Sequence, residues 1–310
     1  MAGQFGDPLL ASRIRANLAL PVIAAPMFLV SGPDLVIAAA RAGIIGGIPA
    51  LNQRTTEGFE SWLEQIEQAT AGAAYAVNLI VHDSNSRLEA DLNVTVRHRA
   101  PLIIASIGSP APVVERVRAY GGLVFSDVAS VRHARRAAEA GVDGLILLCA
   151  GAGGNTGWLN PFAFVAEVRR FWNGPIALAG AISRGSYVHL AEEMGGDFAF
   201  VGTPFIAARE SLAPEAYRSM LVESGADDIV LTAEVTGIPA NMLRQSLQKS
   251  GYIAKKGASA RFDLNAELET LRAWRDIWSA GHGVGDVNAV ENLADIVSRF
   301  STDYHQARRR

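Results

Sequence analysis

Residues 140–157 read AGVDGLILLCAGAGGNTG. Gly141 follows a helical pattern, at the position where a helix end favours positive φ. The run 144–148 is continuously apolar, which is how a strand covered on both faces reads. It empties into residues 148–157, where four of ten positions are glycine and two are alanine. The unit is therefore helix, turn, buried strand and bare loop.

The same unit recurs in both directions. Strand-like runs fall at 21–24, 44–48, 75–80, 102–106, 123–126, 144–148, 176–179 and 198–201. Helical patterns lie between them, at 33–42, 59–71, 87–98, 111–120, 130–140, 161–171 and 186–194. Pro33 and Pro161 suit first helical turns, and Gly43 and Gly121 follow helix ends as Gly141 does. Eight apolar strands in strict alternation with helices predict an α/β fold, a (β/α)8 TIM barrel, over an open doubly wound sheet. After the eighth strand the rhythm changes. The stretches AARESLAPEAYRSMLVES and PANMLRQSLQKS read as helices, with a short VLTAEV segment between them, and 268–279 and 287–299 look helical too. The expected organisation is a barrel domain of residues 1–204 and 281–310, with a helical insertion at 205–280 over the barrel mouth.

The chain of 310 residues is 49% apolar and 19% charged, enough for a large core. Its net charge of −3 argues against a nucleic-acid partner, and the basic run 308–310 reads as a solvated tail. Apolar stretches such as 18–30 are too short and too interrupted by proline to span a bilayer, so no membrane partner is expected. No basic-then-apolar leader pattern opens the sequence. The single cysteine, Cys149, permits no intrachain disulfide, in keeping with a cytoplasmic setting, and its place at a strand end favours packing. An exposed barrel face makes a homodimer a candidate assembly.

In a barrel the site lies at the C-terminal strand ends. That rule selects Ala25, Pro26 and Met27 after strand one, Asn78 on strand three with His82 beyond, Ser106 on strand four, and Ser126 and Asp127 on strand five. Strand six opens into the glycine-rich loop with Gly153 and Asn155. Strand seven ends in Ala179, Gly180 and Ala181, and strand eight in Gly202 and Thr203. Loops after strands seven and eight often bind phosphate through backbone N–H groups. AGAGG does not match the strand–GxGxxG–helix dinucleotide fingerprint. It is either a nest of N–H groups or a flat wall, and a flat wall beside a phosphate clamp suits flavin mononucleotide (FMN) as one candidate. No H-E-x-x-H or clustered ligand spacing predicts a metal. Asp83, Asp127 and Asp143 form a dispersed acid/base set, with Asp143 reading as a turn cap before strand six. Met220, Leu221, Leu243 and Leu247 read as core or as pocket lining, and Trp158 as a pocket wall or a packing residue.

The pieces PVIAAPM, VNLIVHDSNSRLEADL, AGVDGLILLCAGAGGNTG, IALAGAISRG, FVGTPFIA and WRDIWSAGHGVG occur in this order over nearly the whole chain. In this respect the sequence resembles the nitronate monooxygenase family, formerly called 2-nitropropane dioxygenases. The resemblance implies an FMN-dependent oxidoreductase. It places Ala25, Pro26 and Met27 beside the flavin ring, and Asn78 and Ser126 near the ring or ribityl chain. It also puts Gly153 against the flavin, and Ala179, Gly180, Ala181, Gly202 and Thr203 around its phosphate. The late WSAGHGVG is a further candidate for contact with the cofactor.

Two positions depart from the family pattern. A histidine usually follows the glycines of the loop, and Asn155 stands there; many relatives carry histidine before the strand-five aspartate, where this chain has Ser126. An amide cannot act as a base near neutral pH, although it donates and accepts hydrogen bonds. Asn155 is therefore a candidate for holding nitro oxygens, and His82 for a substitute base, with His282 as a weaker second candidate. The leading expectation is oxidation of alkyl nitronates or related carbanion-like small molecules with O2. The alternatives are an NAD(P)H-dependent flavin reductase acting on a quinone or enoyl substrate, and a catalytically silent FMN-binding protein.

Overall fold

The computed structural model describes residues 5–235, 237–251 and 275–310. Eight parallel strands close into a barrel: β1 (Val22–Ala24), β2 (Ile45–Pro49), β3 (Tyr75–Ile80), β4 (Leu102–Ser106), β5 (Leu123–Val128), β6 (Gly144–Leu148), β8 (Ile176–Ala179) and β9 (Phe198–Val201). The ring shuts where β9 pairs with β1, Phe200 opposite Ile23. All eight predicted strands are present, β5 running two residues further than its apolar pattern because Asp127 interrupts that pattern without interrupting the ladder.

Each strand puts alternate residues on opposite faces. One set fills the barrel interior, including Ile23, Ile45, Ala76, Ile104, Phe125, Ile146, Ala177 and Phe198. The other set, including Val77, Ile103, Val124, Leu147 and Leu178, packs against the helices. Those helices are α2 (Pro33–Arg41), α3 (Thr56–Thr70), α4 (Leu88–Arg97), α5 (Ala111–Arg118), α6 (Val131–Glu139), α7 (Pro161–Arg169) and α8 (Gly185–Glu193). At the bottom, α1 (Leu10–Arg15) closes the barrel with Ala11 and Ile14 against the interior cluster. At the wall, α12 (Leu293–Ala307) packs on α8, and its Asp303 carboxylate accepts both the N–H and the hydroxyl of Ser186 at 2.8 Å.

Two aspartates before strands repeat one device. Asp143 Oδ2 accepts the Val124 N–H at 2.8 Å, and Asp197 Oδ2 accepts the Ile176 N–H at the same distance. Each carboxylate stitches a strand's entry to its neighbour at the N-terminal end, so Asp143 is a strand anchor, far from the mouth.

The segment after β9 differs from the helical reading. The short α9 (Thr203–Ile206) and α10 (Glu215–Val222) are helices, but β10 (Ile229–Thr232) and β11 (Ala240–Leu243) form an antiparallel pair. Only α11 (Arg244–Lys249) remains helical in the PANMLRQSLQKS stretch. A four-residue apolar run followed by a helix carries no period that separates strand from helix. The third strand of this sheet is β7 (Gly154–Asn155), from the glycine-rich loop itself. The helix expected at 268–279 lies largely outside the described residues.

Candidate active site

A cavity of about 250 Å³ opens at the C-terminal ends of the barrel strands. It brings together Ala25, Pro26, Met27, Asn78, Gly153, Asn155, Ala179, Gly180, Ala181, Gly202 and Thr203. Two candidates lie outside its lining, Ser126 and His82. Alternation explains the first. Leu123 and Phe125 belong to the barrel interior, and Val124 and Val128 to the helix layer. Ser126 shares the outward parity, and its hydroxyl donates to Ala105 O at 3.2 Å. Asp127 shares the inward parity and lines the cavity. His82 sits in the loop after β3, where its Nδ1 accepts the Ser84 N–H at 3.2 Å.

On the β3–β5 side the wall is built from side chains. Asn78 Nδ2 donates to Ile104 O at 3.0 Å and to Ser106 Oγ at 2.7 Å. The Ser106 hydroxyl donates onward to Asp127 Oδ2 at 2.6 Å. Enclosure away from bulk water pushes the Asp127 carboxyl up to about 6, against the hydrogen bonds from Ser106 and the Ile107 backbone, which favour its ionised form. Ile107 holds φ 55°, a rare conformation for a β-branched residue. Leu29 and Ala181 also have positive φ, at 59° and 54°, in the loops after β1 and β8. Each such residue costs on the order of 1–3 kcal/mol and is held by its surroundings.

On the β8–β9 side the wall is backbone. Among the described residues, the N–H groups of Ala181, Gly202 and Thr203 have no acceptor. A Cβ added at Gly202 would meet nothing nearer than Met27 Sδ at 3.5 Å, so its bareness serves the open space rather than a protein neighbour. The reverse holds for Gly153, whose added Cβ would lie 2.6 Å from Gly281 N. The glycine-rich loop and the late AGHG loop touch backbone to backbone, fastened where His282 N–H donates to Gly151 O at 2.9 Å, and the late loop is tied to the start of α9 where Gly281 N–H donates to Thr203 Oγ1 at 2.9 Å. His282 itself points to solvent.

Asn155 occupies β7 opposite Ala240. Two more bonds tie its loop to β11: Thr156 N–H donates to Pro239 O at 3.0 Å, and Asn241 Nδ2 to Ala152 O at 2.7 Å. Among the described residues Asn155 Oδ1 is buried without a donor, a state that costs about 1–3 kcal/mol unless a bound molecule supplies one. Tyr217 of α10 adds an aromatic wall, its ring stacked on Trp278 at 5.0 Å.

The remaining sequence candidates take structural places. Burial pushes the Cys149 thiol up to about 12, and it packs in the helix-side core. Met220, Leu221, Leu243 and Leu247 are buried in apolar clusters outside the cavity lining. Trp158 is 78% exposed and does not line this cavity. Among the described residues no three His, Cys, Asp or Glu side chains group as metal ligands. No described helix is long and apolar enough to cross a membrane.

The nitronate monooxygenase family model matches residues 13–273. A Mycobacterium tuberculosis protein named as a monooxygenase is 31% identical over 166 residues, 53% of this chain and 44% of that protein, so the match spans less than half of that relative. A Rhodococcus jostii protein named (3aS,4S,5R,7aS)-5-hydroxy-7a-methyl-1-oxo-octahydro-1H-indene-4-carboxyl-CoA dehydrogenase is 25% identical over 265 residues, 84% of this chain and 74% of that one. The fold matches that of nitroalkane oxidase from Streptomyces ansochromogenes with a TM-score of 0.81 at 24% identity, covering 96% of this chain and 99% of that one. With its closed barrel and a family match over most of its length, the chain belongs to the nitronate monooxygenase family, whose members are flavin-dependent oxidoreductases.

Proposed function

We propose that the protein binds FMN and oxidises alkyl nitronates or related small carbanion-like substrates, with O2 as the final electron acceptor. The observation that carries this reading is the pairing of unsatisfied backbone donors at Ala181, Gly202 and Thr203 with Asn155, whose Oδ1 is buried without a donor, in the same cavity. The donors suit a phosphate. Ala25, Pro26 and Met27, with little side-chain bulk before the methionine, would lie beside the flavin ring, and Asn78 within its reach. Bound there, the flavin supplies two-electron acceptance from substrate and reoxidation by O2.

The chain's own part is positioning. Through its Nδ2 N–H groups Asn155 would donate to the nitro oxygens of the substrate, which stabilises the anion without moving a proton, while its Oδ1 is left to accept from a donor on the bound flavin or substrate. Val30, Ile206, Tyr217 and Ile277 exclude water on the outer side of the cavity. A nitronate has already lost its α-proton, so an amide suffices at this position.

The test is spectroscopic. The purified protein should carry yellow flavin that releases as FMN, and an alkyl nitronate should bleach it anaerobically. A second reading is supported by the same amide and by the relative named as a dehydrogenase: a flavin reductase fed by NADH or NADPH, acting on a quinone or enoyl substrate. Bleaching by a reduced nicotinamide with no response to nitronate selects it and overturns the first. Flavin that answers neither reagent leaves a silent binding protein.

A further inference from the structure

We propose that Asp127 is the catalytic base of this cavity, taking the α-proton from a neutral carbon acid such as a primary nitroalkane; the inference rests on the reading of the cavity as a nitronate-oxidising site. Among the described residues that line the cavity, only Asp127 and Tyr217 are ionisable. The Tyr217 hydroxyl is committed: it donates to Ser279 O at 2.5 Å and accepts the Ser279 N–H at 3.2 Å. Burial pushes it up to about 12, so it remains protonated through the neutral range. Asn155 carries no exchangeable lone pair of useful basicity, and His82 is not in the lining.

The hydrogen bonds around Asp127 have one direction. Asn78 donates to Ser106, and Ser106 donates to Asp127, so the carboxylate is the terminal acceptor of a fixed relay. The Ile107 N–H also favours its charged form. These two are the groups that bear on its titration, and no charged side chain contributes to its shift. A carboxylate held ionised by two donors, in a site that otherwise disfavours charge, meets both requirements of a general base: it accepts the proton, and it gains by doing so.

The step balances without an oxidant. The substrate's α C–H bond breaks, its electron pair stays on the substrate as the nitronate, and the proton passes to a carboxylate oxygen of Asp127. Reionisation then returns the proton to water. Oxidation of the nitronate follows as in the reading above.

Asp127→Asn keeps the acceptor for Ser106 and removes the base. In the FMN-loaded enzyme it should lower kcat/KM for nitroethane by at least about 100-fold. The loss on ethyl nitronate should be far smaller, so the nitronate-to-nitroalkane ratio rises at least about 100-fold. In the parent enzyme kcat/KM for nitroethane should rise about tenfold per pH unit and level off above about pH 6. A second readout needs no turnover: with the flavin held reduced under anaerobic conditions, the enzyme should exchange the α-hydrogens of nitroethane with D2O, and Asp127→Asn should not. Asp127→Glu, which keeps a carboxylate, should retain part of that exchange.

Equal losses on both substrates would overturn the proposal and assign Asp127 to holding the cofactor. Undiminished exchange in Asp127→Asn would overturn it too. A parent enzyme that turns over nitronate but neither oxidises nor exchanges nitroethane also overturns it, while the functional reading stands. A flavin-loaded enzyme inert to both compounds sinks the functional reading, and the proposal with it.

Discussion

The two sides of the cavity are made of different material. The β8–β9 rim presents backbone N–H groups, bare glycine and the hydroxyl residues Ser183 and Thr203; the β3–β5 rim presents Asn78, Ser106 and Asp127 linked by hydrogen bonds. One side can grip an anion without using charge. The other carries the titratable lining group besides Tyr217 among the described residues, and no cationic side chain stands opposite it. On the proposed reading the contrast separates holding from chemistry: the backbone rim would fix a ligand's charged tail, and the side-chain rim would set the protonation state at its reacting end.

The largest effects should come from the backbone rim, where the two kinds of glycine part company. Gly153→Ala forces a methyl to within 2.6 Å of Gly281 N, and should lower stability by about 2–3 kcal/mol in denaturant titration. Gly202→Ala meets only ordinary contacts at 3.5 Å and beyond, so the apoprotein should melt as the parent does. Its FMN affinity should nevertheless fall about tenfold, close to 1.4 kcal/mol, because on the proposed reading the methyl would stand where backbone meets phosphate. Equal melting losses in both variants would break the distinction between a glycine kept for protein packing and one kept for a ligand.

A middle-sized effect belongs to the side-chain rim. The folded protein holds the Asp127 proton more tightly than the unfolded chain, with the carboxyl raised from 3.8 to about 6. That stabilisation is full below about pH 4 and is lost as pH rises through about 6. Asp127→Asn should remove the loss, leaving the apoprotein about 3 kcal/mol more stable than the parent at pH 8 and little changed at pH 4. Thermal melts across that range check both the sign and the window.

The smallest effect tests alternation. Ser126→Ala gives up one bond to Ala105 O, worth about 1 kcal/mol, and should leave flavin binding and pH dependence as they are. Ser106→Ala removes a donor that favours the charged Asp127, so the pH limb for nitroethane should move upward. A Ser126 variant that perturbs the flavin spectrum more than the Ser106 variant would contradict the placement of the two residues.

The backbone rim was far more legible in the sequence than the side-chain rim. Glycine and alanine at 179–181 and 202 stand out because so little else at a strand end lacks a side chain. The repeated apolar runs likewise carried the barrel, since both faces of every strand are covered. Ser126 and Asp127 are neighbours of similar polarity, and only the parity of Phe125 and Val124, visible once the interior is known, decides which reaches the mouth. Asn155 was found as a departure from a family pattern. Its attachment to β11 was not, because β11 is four residues long and pairs with a strand of two.

That short pairing has an evolutionary consequence. Asn155 is a rung in the same ladder as Ala240, so the cavity-lining amide is mechanically geared to the β10–β11 segment. Shifting that segment to admit a bulkier molecule would drag the amide with it and reset its hydrogen bonding. Substrate range and reactivity would then be inherited as a single trait, and grafting the segment between relatives should transfer both together.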